Sequence, residues 1–200
     1  EKLLNFEQKL INTTSRSGFL EKKADISKIN SFTQGDWWIQ DFSSFFPLEN
    51  LRLKIGDIKI LDACAAPGGK SFQILSRNLK ITLNDKSYSR IKILETNLNR
   101  LKFDTKILNY DFIKFNNNNK YDFIIIDAPC SSVGTIRKNP EIFFKNKSPD
   151  FKKLNMIQEK LLSKASSLLK RNGFILYMVC SFLKSETEDQ INKFLSNQKG

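Results

Sequence analysis

The stretch LDACAAPGGKS, Leu61–Ser71, joins a short apolar run to a glycine-lysine turn and then to a helical pattern. A strand that feeds such a turn aims backbone N–H groups and a helix N-terminus at whatever lies above it. The last four letters suggest a nucleotide phosphate. The rest of the stretch argues otherwise. A phosphate-binding loop needs a glycine where this chain has Cys64. Pro67 removes one N–H donor, and no G-x-G-x-x-G dinucleotide fingerprint is present. The turn is rich in small residues, so it admits close approach of a ligand without favouring a triphosphate.

Working outward, strand and helix signals alternate. DIKILDAC reads as a strand, KSFQILSRNL as a helix and KITLND as a strand. SYSRIKILETNLNRLK is an amphipathic helix, its apolar residues three and four apart, and TKILNYD is a short strand. YDFIIIDAPC is a buried strand, and LNMIQEKLLSKASSLLKRNG a helix expected to stop at Gly173. FILYMVCS is a fifth strand and SETEDQINKFL a last helix. Strands separated by helices predict an open, mostly parallel α/β sheet with helices on both faces. Residues 58–200 form this core. Residues 1–57 are expected to be a helical and aromatic segment packed on it, with a helix near 2–12 and the aromatic run DWWIQDFSSFFPLENL at 36–51.

Ligands of such sheets bind outside the carboxyl ends of the strands. Those ends carry Asp62 to Cys64, Asp85, Asp111, Asp127 to Cys130, and Cys180. Asp85 follows the glycine turn at the distance where an acid accepts hydrogen bonds from ribose hydroxyls. Asp111 can take a donor such as an exocyclic amine. A nucleoside-bearing cofactor without a phosphate chain fits these features, and S-adenosylmethionine is the candidate. Asp127 stands three residues before Cys130 in DAPCSSVGTIRKNPEI, and Arg137 and Lys138 follow in a loop suited to nucleic-acid phosphates. The fifth strand should lie beside the fourth, bringing Cys130 and Cys180 together. A thiolate there can add to an electron-poor heterocycle.

The composition bounds the chemistry. Two hundred residues, 40% hydrophobic and 12% aromatic, suit one packed domain. A net charge of +12 favours a polyanion such as RNA or DNA. The absence of histidine excludes Ser-His-Asp and Cys-His arrangements and His-ligated metals from this chain, so acid-base work falls to other groups. Three widely spaced cysteines make no zinc or redox motif, and no metal is expected. No apolar run is long enough to span a bilayer and no signal-peptide pattern is present. A cytoplasmic monomer with reduced thiols is expected. The chain begins at Glu1 and reads as a fragment or trimmed domain.

Taken together, LDACAAPGGK, NLNRL (97–101), DAPCS with its following G, R and NP, and the upstream GDWWIQD (35–41) resemble the Sun/Fmu (RsmB-type) family of RNA cytosine-C5 methyltransferases. The similarity runs over about residues 36–190. It implies a Rossmann-like class I methyltransferase fold, truncated at its C-terminal strands, and S-adenosylmethionine as cofactor. Residue by residue, it implies that Cys64, Ala65, Ala66, Pro67, Gly68, Gly69 and Lys70 line the cofactor. Asp85 would hold its ribose, Asp111 would face its adenine, and Asp127 would lie between cofactor and base. Cys180 would be the nucleophile and Cys130 would help release product, Cys130 being the alternative nucleophile. Ribosomal RNA is the expected substrate, with transfer RNA as an alternative. A methylase of a base nitrogen and a catalytically silent RNA-binding module are competing readings. Val179 and Thr187 stand where the family commonly has threonine and asparagine. The family's N-terminal RNA-binding domain and last two strands are not in this sequence.

Overall fold

A computed structural model describes residues 10–14, 16–20, 25–53, 56–116, 119–144 and 148–198. Its centre is a five-stranded sheet of β3 (Ile60–Asp62), β4 (Ile81–Asn84), β5 (Lys106–Leu108), β6 (Tyr121–Asp127) and β7 (Leu169–Met178). The order across the sheet is β5-β4-β3-β6-β7, and every pairing is parallel. The chain therefore winds outward from β3 to β5, then crosses back to place β6 on the other side of β3. That reversal opens a crevice above the carboxyl ends of β3 and β6.

Alternation along the strands explains the two-sided core, because successive side chains point to opposite faces. Ile60, Leu83, Phe123 and Ile125 pack with Leu48 of α2 (Phe42–Glu49), Phe72 and Ile74 of α3 (Gly69–Leu75), and Leu94, Leu98 and Leu101 of α4 (Tyr88–Leu101). Leu61, Ile124 and Ile126 face the other way, onto Leu161, Leu162, Ala165 and Leu168 of α5 (Phe151–Leu168). Such a continuous apolar run as FIII in β6 is what burial on both faces demands. Helix starts are marked by their caps. Ser87 accepts from the Arg90 N–H at the start of α4, and Asp150 from the Lys153 N–H at the start of α5.

The upstream segment is fastened to this core by polar bonds. The Arg77 guanidinium donates to the Leu48 and Leu51 carbonyls and to Glu49, fixing the end of α2 against the end of α3. Arg100, near the end of α4, donates to the carbonyls of Trp37 and of Phe32 in α1 (Asn30–Thr33), and lies 3.9 Å from the centre of the Phe32 ring. Gly35 sits against the Arg100 carbonyl so closely that a Cβ there would fall 1.7 Å from the oxygen.

Two expectations are corrected. Of the helix near 2–12, residues 2–9 lie outside the described residues, and Leu10–Thr14 is a strand, β1, paired antiparallel with β2 (Ser17–Leu20). The β-branched Ile11, Thr13 and Thr14 favour that extended form. The helix α5 ends at Leu168, not at Gly173. Leu169 already pairs with Tyr121, and the ladder shifts register before Phe174 meets Phe123. Gly173 lies within β7, where a Cβ would press on the Lys170 and Asp122 carbonyls. The glycine serves a close backbone approach rather than a helix stop. The last helix, α6, runs Glu188–Asn197. Among the described residues no helix is long and apolar enough to cross a membrane.

Candidate active site

The turn after β3 is built from backbone contacts with its neighbours. Ala65 N–H donates to the Asn84 carbonyl, and Ala66 N–H to Asp85 Oδ2. Both alanine side chains belong to the core, so this turn presents main chain to the crevice. The Ala66–Pro67 bond is cis. Gly68 follows at φ +119°, and a Cβ there would lie 2.1 Å from the Phe72 ring, so only glycine fits. Gly69 opens α3 and sends Lys70 back toward β6. Pro67 is exposed at the tip, and its carbonyl accepts from the Asn97 side chain.

Acids hold the loops above β3 and β4. Asp62 is buried, with Oδ1 accepting from Cys64 N–H and Oδ2 from the Ser71 hydroxyl. Burial pushes its carboxyl up to about 6, and the nearby Asp127 charge adds to that, against the pull of the Ser71 bond. Asp85 accepts from the Ala66 and Ser87 N–H groups and pairs with Arg90, which also donates to the Ala66 carbonyl. Asp111 caps the short turn Phe112–Lys114 and pairs with Lys86 at 2.9 Å. The Lys86 bond holds its carboxyl below the ordinary carboxylate value. Asn84 was not evident as a structural residue from sequence. Its side chain donates to the Ala63 and Tyr110 carbonyls and accepts from the Tyr110 N–H, joining three strand ends.

The charge of this cradle discriminates between ligands. The Cys64 thiol is pushed up to about 12, first by burial and then by the negative charge of Asp62, Asp85 and Asp127. Burial disfavours any charge there, but the part of the rise that comes from these three carboxylates is specific to negative charge and so opposes a polyphosphate. A nucleoside bearing a sulfonium and an ammonium group fits such a site; a triphosphate does not.

Above β6 and β7 the geometry differs. Lys70, 8% exposed, reaches Asp127 Oδ2 at 2.5 Å. Three residues on, Cys130 Sγ accepts the Cys180 N–H at 3.2 Å, so thiols from two adjacent strand ends meet. Cys130 also lies beside the Ser132 hydroxyl. Donation by the Cys180 thiol, aided by the N–H groups of Ser132 and Cys180, brings the Cys130 thiol down to about 6 despite its burial. The same bond, with burial and the Asp127 charge, drives the Cys180 thiol upward. The two thiols are thus pushed in opposite directions, Cys130 toward the thiolate and Cys180 toward the thiol. Both cysteines, like Cys64, are free thiols.

Arg137 and Lys138 lie on the exposed loop that leads away from Cys130. Lys138 is ion-paired with Asp41, the N-cap of α2, which ties that loop to the upstream segment. Another residue hidden from sequence reading is Glu186. It is buried in the turn after Cys180 and accepts from the Ser131 N–H and hydroxyl and from Gln158 Nε2. In SETED it is one acid among three, and only the fold separates it from the solvated ones. Among the described residues, no cluster of His, Cys, Asp or Glu suits a metal ion.

The model of the 16S rRNA methyltransferase RsmB/F family matches residues 50–200. The chain is 36% identical over 182 residues to ribosomal RNA small subunit methyltransferase B of Cronobacter sakazakii, covering 88% of this chain and 42% of that protein. The protein of the same name from Shewanella oneidensis is 33% identical, with 86% and 41% covered. The chain thus spans about two fifths of the length of these relatives. A methyltransferase homolog from Pyrococcus horikoshii superposes with a TM-score of 0.79 at 28% identity, over 98% of this chain and 63% of the other. NSun6 from the same organism, solved with SFG, gives 0.76 at 27% identity, over 85% and 44%. The sheet is the Rossmann-like methyltransferase sheet, and the chain belongs to the RsmB/F family of 16S rRNA methyltransferases.

Proposed function

We propose that this protein transfers a methyl group from S-adenosylmethionine to carbon 5 of a cytosine in RNA, with ribosomal RNA as the substrate, through a covalent adduct on Cys180. The observation that carries the proposal is the meeting of two thiols beside the Lys70–Asp127 pair, at the mouth of an acidic cradle. Family membership and the names of the relatives support RNA as substrate. The net charge of +12 suits a polyanion.

Carbon 5 of cytosine is too weak a nucleophile to be methylated directly. Cys180 attacks carbon 6, and its proton passes to Cys130, whose Sγ lies against the Cys180 N–H. The Lys70–Asp127 pair holds ring nitrogen 3 and supplies the proton that the ring takes up, which makes carbon 5 an enamine carbon. S-adenosylmethionine, when bound, supplies an electrophilic methyl group on a sulfonium. The turn Cys64–Lys70 and Asp85 hold and orient that group, and Asp111 faces its adenine. Water then takes the carbon 5 proton, ring nitrogen 3 returns its proton to the Lys70–Asp127 pair, and Cys180 leaves as a thiolate that recovers its proton from Cys130. The target base must be unstacked to reach the crevice. Arg137 and Lys138 border the path of its phosphates.

The test is methyl transfer to cytidine in RNA together with trapping on RNA containing 5-azacytidine. Cys180→Ala should abolish both transfer and trapping while S-adenosylhomocysteine still binds by calorimetry. Transfer that survives this substitution removes the assigned nucleophile. A nitrogen methylase would transfer methyl without ever being trapped.

A further inference from the structure

Glu186 has no place in the reaction above, yet it is fully buried and ionised. Burial alone would push its carboxyl up. The hydrogen bonds from Ser131, Ser181 and Gln158 outweigh that and hold it below the ordinary value. Among the described residues it makes no ion pair, so those bonds alone compensate for the desolvation of its charge. An arrangement so costly asks for a reason.

Its position supplies one. Glu186 lies six residues after Cys180, in the turn Lys184–Glu186, and so belongs to the Cys180 segment. Its carboxylate grips the other segment. Oε1 accepts from the Ser131 N–H at 2.9 Å, and Oε2 from the Ser131 hydroxyl at 2.5 Å, on the residue directly after Cys130. Gln158 of α5 bridges the two, donating to Oε1 at 3.1 Å and to the Pro129 carbonyl, directly before Cys130, at 3.0 Å. The Ser131 hydroxyl also reaches Ser181, directly after Cys180, and Gly134 N–H donates to the Cys180 carbonyl. Each thiol is thus flanked by residues tied to Glu186, while Glu186 touches neither sulfur.

The geometry points to Glu186 as a positioning residue that sets the distance between Cys130 and Cys180, and thereby whether a proton can pass between them. For the reaction, this rests on the methyltransferase reading given above. As a statement about the two thiols, it does not. A displacement of about 1 Å at such a pair costs on the order of a hundredfold in rate.

The closing experiment measures the thiol pair directly. Dibromobimane bridges two nearby thiols and fluoresces once both are alkylated, and the Cys130–Cys180 bridge is then located by peptide mass. Glu186→Ala should slow bridging about tenfold and lower kcat on RNA about a hundredfold, with the KM for cofactor and binding of S-adenosylhomocysteine nearly unchanged. Glu186→Gln keeps an acceptor for the Ser131 N–H and Gln158, and its amide can donate to the Ser131 hydroxyl, so it should restore most of the bridging rate. A folded Glu186→Ala that bridges at the wild-type rate overturns the inference, as does Glu186→Gln failing as badly as Glu186→Ala. If Glu186→Ala does not fold, Ser131→Ala removes the shortest bond to Glu186, with the contact to Ser181, and should still slow bridging severalfold; an unchanged rate overturns the inference. Bridging needs neither RNA nor cofactor. Loss of methyl transfer to cytidine with this pattern intact would therefore refute the reaction and leave the positioning standing.

Discussion

The two halves of the sheet's carboxyl rim use the same residue types in opposite ways. Over β3, β4 and β5, each acid is bonded to main chain: Asp62 to Cys64, Asp85 to Ala66 and Ser87, Asp111 to Ile113. Over β6 and β7, Lys70 bonds to Asp127 side chain to side chain, the Cys180 N–H donates to Cys130 across the two segments, and Glu186 holds their loops. The first half is a rigid cradle whose charges are also its struts. The second leaves the tying of its loops chiefly to Glu186. A cofactor needs a fixed shape, whereas thiols that exchange a proton need partners they can release.

The largest expected effect lies in the second half. Cys130, with its thiol near 6 where an ordinary thiol stands at 9.0, should be alkylated by iodoacetamide with a midpoint three pH units low. Because its folded value is depressed, the thiolate persists above about pH 6 and is lost as the pH falls through it. Cys180→Ala removes the thiol donor, and the midpoint should climb toward the ordinary value. A midpoint near 9 in the unmodified protein would erase the contrast between the halves.

Next in size is a strut. The Asp62 carboxyl is raised from 3.8 to about 6, so the folded state binds this proton more tightly than the unfolded one. Its contribution is fully present below 3.8 and declines as the pH rises through 6, a linkage cost of at most about 3 kcal/mol at pH 8. Asp62→Asn can keep an acceptor for Cys64 N–H and donate to Ser71. Thermal unfolding should show the variant more stable than wild type at pH 8, with the difference gone by about pH 4. A variant less stable at pH 8 would mean that the charge itself holds the cradle.

The smallest effect tests whether the halves are separable. Asp85→Asn weakens the Arg90 pairing and removes an acceptor from the cofactor side. S-adenosylhomocysteine binding should weaken about tenfold by calorimetry, in keeping with one charged hydrogen bond. Bridging of Cys130 and Cys180 should not change. A change in bridging would show that the cradle and the thiol pair move as one body.

Much of this was legible in the sequence because it depends on period and order. The IIID run of β6, the alternating strands and helices, and the acids and thiols at strand ends together gave the parallel sheet, its crevice and the meeting of Cys130 with Cys180. What was missed depends on contacts distant in the chain. Nothing near Glu186 announces that Ser131, 55 residues away, will occupy its carboxylate. The resemblance places Lys70 along the cofactor, but its ion pair with Asp127, 57 residues on, is a contact that no local pattern encodes. Gly173 misled because glycine stops helices and also permits close strand contacts, and the neighbouring carbonyls decide between the two.

Gly35 carries a consequence far from its own position. The segment it belongs to runs through Trp37 to Asp41, and Asp41 holds Lys138 on the loop after Cys130. The seating of Gly35 on Arg100 is therefore the fulcrum of a lever whose far arm is the mouth of the crevice. Any side chain at Gly35 would collide with the Arg100 carbonyl and push the segment away from α4. A substitution at Gly35 would thus disturb the loop after Cys130 without coming near a sulfur atom.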